Sequence, residues 1–153
     1  MRNQKKLLLE QLDRKFELFQ GVNEIHVPPS GWINNVRLAL GITLEQLGKR
    51  WNMTKQGVKK IEERESSGSI TLNSLKEIGR ALDLNFVYGF VPIDGSLQKM
   101  VDIKAQKLAR KIVLRTSQNM RLENQENSEE RISQAIDELA SEIKREMRKS
   151  LWD

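Results

Sequence analysis

"GITLEQLGKRWNMTKQGVKKIEER", Gly41–Arg64, decides how the chain folds. Two short helical patterns lie back to back. Leu44, Leu47 and Trp51 recur at helical spacing, then Val58 and Ile61 do, with only Asn52 and Met53 marking the break. Thr43 suits an N-cap, and Gln46 three residues on completes a capping box. Thr54 is placed to cap the next helix. Asn52 tolerates the left-handed backbone that so abrupt a turn requires. Gly48, midway along the first helix, lets the second cross closely, and Val58 after Gly57 is placed to lock the two together. The second helix then turns Thr54, Lys55, Gln56, Lys59 and Lys60 outward.

That outward set has a chemistry. A glutamine at the N-terminal end of a helix can pair with adenine edges in a major groove, and a lysine with guanine. Cations further along, Arg64 among them, reach phosphates. Thr43, opening the preceding helix, is counted in the same set of DNA-binding candidates. From Lys49 to Arg64 the sequence carries Lys49, Arg50, Lys55, Lys59, Lys60 and Arg64 against Glu62 and Glu63. Such clustering fits a duplex, a dense line of negative charge.

On either side the pattern stays helical. Ile33, Val36 and Leu40 predict a short helix stopped by Gly41. Thr71 predicts the cap of another, with Leu72, Leu75, Ile78 and Leu82 inward. Short helices with such tight links must pack as an orthogonal cluster. Residues 4 to 20 read as a further helix, with Leu8, Leu12, Lys15 and Phe19 on one stripe, Leu9 and Phe16 beside it, and Gly21 ending it. Val27-Pro28-Pro29-Ser30-Gly31 reads as a stiff linker. Phe86, Tyr88 and Phe90 alternate with Val87, Gly89 and Val91, which predicts one short β-strand. A lone strand needs a partner, and pairing across a twofold axis supplies one. Phe86, Val87, Tyr88, Phe90 and Val91 are therefore expected to form the dimer strand.

Beyond Pro92 a basic helix is expected to about Leu122, then an acidic one capped by Ser128. Lys99 to Arg121 holds seven cations against Asp102, and Glu123 to Glu142 seven acids against Arg131. The expected architecture is mainly α: a helix-turn-helix domain with one short strand, and flanking helices. Its parts are an N-terminal helical arm (1–27), the DNA-binding domain (28–92) and a helical dimerisation or partner-binding region (93–153).

Composition narrows the classes. The chain has no cysteine and a net charge of +5, and its N-terminal apolar run is too short for a signal peptide, which together lead one to expect a cytoplasmic protein with no membrane partner. His26 is the only histidine and lies beside prolines. No phosphate loop, nucleophile elbow or metal-spaced set occurs, so neither enzyme activity, cofactor nor metal is expected.

Over residues 33 to 84, the positions of Leu47, Gly48, Asn52, Val58, Ile61 and Glu62 resemble the XRE/Cro-like helix-turn-helix family. Two departures stand out. Leu44 occupies a position where the family commonly has a phosphate-contacting glutamine, and "ERESSGSI" is a longer connection than the usual loop. With the flanks "PPSGWINNVRLALGITLEQL", "ERESSGSITLNSLKEIGRALDLNFVYGFVP" and "SLQKMV", the chain looks like the mobile mystery protein A family. That resemblance implies an antitoxin-like transcriptional autorepressor of an operon encoding a Fic-domain partner. The alternative it leaves open is an interaction antitoxin whose main work is to bind and inhibit the Fic-domain nucleotidyl transferase. Fic-inhibiting proteins carry a glutamate on a short helical motif, and here Asn119, Glu123 and Asn124 give a partial match, with Asn119 departing from the usual Ser or Thr.

Overall fold

The computed structural model describes residues 2–122 and 128–153. The chain is mainly helical, and it divides into two compact units. One is Asn23–Gly89. The other joins the N-terminal segment up to Val22 with Phe90–Asp153.

In the second of these, α1 is Arg2–Glu17. It falls in the same compact unit as the C-terminal helices. Its Asp13 carboxylate accepts backbone N–H groups from Leu97 (2.7 Å) and Gln98 (3.0 Å), and its Leu9 packs on the core shared with those helices. Leu12 and Phe19 of the expected stripe are half-buried, as are Leu9 and Phe16 beside it, whereas Leu8 and Lys15 are exposed.

The other unit holds α2 (Trp32–Ala39), α3 (Leu44–Trp51), α4 (Lys55–Ser67) and α5 (Leu72–Ala81). All four helices meet at one core: Ile33, Leu47, Val58, Ile61, Ile78 and, just past α5, Leu82. Threonines start three of them. Thr43, Thr54 and Thr71 each accept the backbone N–H three residues on, at 3.1, 3.0 and 3.1 Å. The start of α2 has no such side chain, because Gly31 stands there with φ of 88°. Glu65 of α4 substitutes, its Oε1 accepting the Ile33 N–H at 2.9 Å. A methyl group on Gly31 would meet that oxygen, so the position requires glycine on two counts. The stretch expected as a long connection is mostly helix: α4 continues to Ser67 and stops at Gly68, whose φ is 83°.

An ion pair ties α2 to α4. Arg37 donates through Nε and Nη2 to Glu62, and its Nη1 donates to the Ile42 carbonyl at 3.1 Å. Asn34 adds a bond to Glu62 Oε2 at 3.1 Å. Both charged side chains are buried.

The expected strand at Phe86–Val91 does not form, and no strand occurs among the described residues. A strand exists through cross-strand hydrogen bonds, and the single chain offers this segment none. No backbone N–H from Asn85 to Val91 donates a hydrogen bond.

The remaining helices, α6 (Leu97–Leu122) and α7 (Glu129–Glu146), pack as a hairpin. Val101, Ala105 and Ala109 of α6 meet Ala140 and Ile143 of α7, with Leu151 closing the end. The alanines allow close approach. Ile112, further along α6, is more than a third exposed. Ser128 caps α7, with Glu129 and Glu130 in its first turn, where the helix dipole favours acids. No described helix is long and apolar enough to cross a membrane.

Candidate nucleic-acid interface

The site is built on the joint between α3 and α4. The capping box at α3 is complete: Thr43 Oγ1 accepts from Gln46 N, and Gln46 Oε1 accepts from Thr43 N at 2.9 Å. Asn52 ends α3 in the left-handed region, with φ 60° and ψ 40°. The chain then folds back so that Met53 N donates to the Gly48 carbonyl at 2.7 Å. A Cβ at Gly48 would lie 2.5 Å from the Met53 carbonyl oxygen. The close approach that demands glycine is therefore to the backbone of the turn, where the sequence suggested the crossing helix.

All seven expected DNA-binding residues lie exposed: Thr43, Thr54, Lys55, Gln56, Lys59, Lys60 and Arg64. Both threonine hydroxyls are already engaged as caps, which assigns them a structural task. At about 100° per residue, Gln56, Lys59, Lys60 and Glu63 fall within one arc of α4, flanked by Lys55 and Arg64.

The charge of this surface is not that of the sequence. Helix α4 carries Lys55, Lys59, Lys60 and Arg64 against Glu62, Glu63 and Glu65. Two of those acids turn inward, Glu62 to Arg37 and Asn34, and Glu65 to the Ile33 N–H. Four cations and Glu63 remain outside. Among the described residues none of the four has a carboxylate within ion-pair distance. Arg50, counted with the basic stretch, is otherwise occupied. Its Nη1 donates to the Ala81 carbonyl at the end of α5 (3.1 Å), with Asp83 beside it at 3.6 Å. Leu44, where the resemblance places a glutamine, is partly buried against the core.

The inward turn of Glu62 leaves a signal in the sequence. Arg37 lies four residues after Ile33, and Glu62 four after Val58, so each charge falls on an apolar stripe. A cation and an anion on two facing stripes have each other as the natural partner.

The expected dimer strand is largely uncovered. Val87, Tyr88 and Phe90 are 69%, 60% and 76% exposed. Phe86 is half-buried, lines a cavity of about 400 Å³ with Trp32, Leu75 and Leu84, and stacks on Tyr88 at 5.9 Å. Val91 is half-buried. Of the residues expected to restrain a Fic partner, Asn119 falls within α6, whereas Glu123 and Asn124 lie outside the described residues.

Comparison with protein-family models, with curated proteins and with solved structures gives no match to this chain.

Proposed function

We propose that the chain is a sequence-specific, duplex-DNA-binding regulator that reads its site with the N-terminal half of α4. One observation carries this reading: α4 turns Glu62 and Glu65 inward and leaves Gln56, Lys59 and Lys60 together on its open side. Each inward acid holds α2, Glu62 through Arg37 and Glu65 through the Ile33 N–H, and the same turn leaves four cations against Glu63 alone on the outside of α4. A helix that lies in a major groove gains on both counts, since the duplex repels carboxylates and attracts ammonium groups. In this reading Gln56 contacts base edges, while Lys55, Lys59, Lys60 and Arg64 contact phosphates.

The protein acts as a homodimer in the same reading. The segment from Phe86 to Val91 has unpaired backbone groups and three well-exposed apolar side chains, the features of an edge awaiting a second strand. Pairing with its own copy would set two α4 helices to meet successive major grooves, about 34 Å apart.

The test is direct. A duplex pool selected for binding to the wild-type protein, together with the DNA upstream of its own gene, is titrated with the wild type and with a Lys55→Ala/Gln56→Ala/Lys59→Ala variant. A large loss of affinity for the selected sequences supports the reading. Equal affinity of the two proteins would remove α4 as the reader.

A further inference from the structure

We infer that the open side of α6 is a second binding surface, one for the phosphate backbone of duplex DNA. The inference rests on duplex DNA being a ligand of this chain, but not on α4 being the element that reads it.

The sequence places a basic helix before an acidic one, which invites the thought that the two neutralise each other. They do not. Lys99, Lys104, Lys107, Arg110, Lys111 and Arg115 are all exposed, and among the described residues none forms an ion pair. Of the acids of α7, Asp137 accepts from the Gln106 amide of α6 at 3.2 Å, Glu138 accepts from Gln134 at 3.2 Å, and Glu142 lies 3.8 Å from Arg148. The ion pair that does join the hairpin has the opposite polarity, Asp102 of α6 with Lys144 of α7 at 3.2 Å. It removes from α6 the one acid within its basic stretch.

The arrangement of the cations is linear. Lys104, Lys107, Lys111 and Arg115 follow one another at three, four and four residues, so they form a continuous row on one side of the helix. The row is about 16 Å long at about 1.5 Å per residue. B-DNA presents about ten phosphates over that length of its axis. Like charges three and four residues apart destabilise a helix in the free protein. A polyanion laid along the row turns that repulsion into binding.

A bilayer surface is the weaker fit. A helix that lies in the interfacial plane inserts an apolar face, and the apolar face of α6 is occupied by Val101, Ala105 and Ala109 packed on α7. Among its described residues the exposed large apolar side chains are Ile103, Ile112 and Leu114, and at about 100° per residue Ile112 falls on the opposite flank of the cationic row from the other two, so they form no continuous face.

The experiment uses the full chain and a duplex of unrelated sequence. Binding is measured over a range of salt for four proteins: the wild type, the α4 triple-alanine variant, a Lys104→Gln/Lys107→Gln/Lys111→Gln/Arg115→Gln variant, and the two combined. Circular dichroism confirms that each is folded, as surface Lys and Arg to Gln changes should leave it. The α6 variant is expected to bind more weakly and to lose about 2–4 units from the slope of log affinity against log salt, given about 0.9 per phosphate contact. The same loss is expected in the α4-variant background. An unchanged slope in the α6 variant overturns the inference and leaves the α4 reading standing. A slope lost only through α6 supports the inference and overturns the α4 reading. A wild type that binds no duplex, but binds phosphatidylserine vesicles through these four residues, overturns the inference in favour of a membrane ligand.

Discussion

Arg37 and Glu62 meet in the interior of the four-helix unit, with Arg37 Nη2 lying 3.3 Å from Glu62 Oε2 and the Ile42 carbonyl taking the remaining Nη1 donor. The pair fixes α4 on α2 at the level where α4 turns its cations to solvent. Removing one partner leaves the other charge buried and alone. Arg37→Ala or Glu62→Ala should each cost about 3–5 kcal/mol. Replacing both, as Arg37→Met with Glu62→Leu, should recover most of that loss. Urea denaturation of the three variants checks this; a double variant less stable than both single ones would show that the two residues do not act as a pair.

Gly48 lies against the turn it helps to make. A Cβ there would approach the Met53 carbonyl oxygen to 2.5 Å, and a backbone carbonyl cannot step aside as a side chain could. Gly48→Ala should therefore destabilise by about 1–3 kcal/mol and displace the turn. Gly57 is a useful contrast. Its added Cβ would meet the Met53 and Thr54 side chains at 3.2 Å, where the methionine terminus is free to move. Gly57→Ala should be the milder change in thermal denaturation. The opposite order would mean that the turn tolerates displacement.

How far the sequence carried the fold follows from the range of each interaction. The caps at Thr43, Thr54, Thr71 and Ser128 were legible because donor and acceptor lie three residues apart. The role of Glu65 was not, because its partner, the Ile33 N–H, lies 32 residues away and nothing local marks it. The same holds for Asp13, whose partners at Leu97 and Gln98 lie more than eighty residues off and draw α1 onto α6. Alternation at Phe86–Val91 was read as a strand because alternation records which residues suit a sheet, not whether a second strand is there. For the candidate interface, the sequence supplied the outward cations on α4 but not the inward turn of its acids, which depends on Arg37.

Residues on the open side of α4 should separate by what they touch. Lys59→Ala and Lys60→Ala remove phosphate contacts, so each should weaken all duplexes alike and reduce the salt slope by about 1 unit. Gln56→Ala should leave the slope nearly unchanged. It should reduce the preference for the cognate sequence, by about 1–3 kcal/mol where the amide reads a base bidentately. Titrations of a cognate and a scrambled duplex at several salt concentrations distinguish the two patterns. If Gln56→Ala weakens both duplexes equally, the residue does not read sequence.

The segment from Phe86 to Val91 makes the sharpest prediction about assembly. Its backbone is unpaired, and Val87, Tyr88 and Phe90 are exposed well beyond what a solvated loop requires. If two copies pair here, proline at Val87 removes a possible donor and sets a rigid ring against the neighbouring strand. Because the position lies outside every helix and is 69% exposed, the substitution should leave the fold of a single chain unaltered. Val87→Pro should then convert a sedimenting dimer to monomer with an unchanged helical spectrum. DNA affinity should fall with it, since two half-sites held by one dimer bind far more tightly than two held separately. Phe90→Ser tests the side chains without disturbing the backbone, and should weaken the dimer less than the proline does. A wild-type protein that sediments as a monomer both free and with operator DNA would end the proposal. A Val87→Pro variant that remains dimeric would move the interface to another part of the chain.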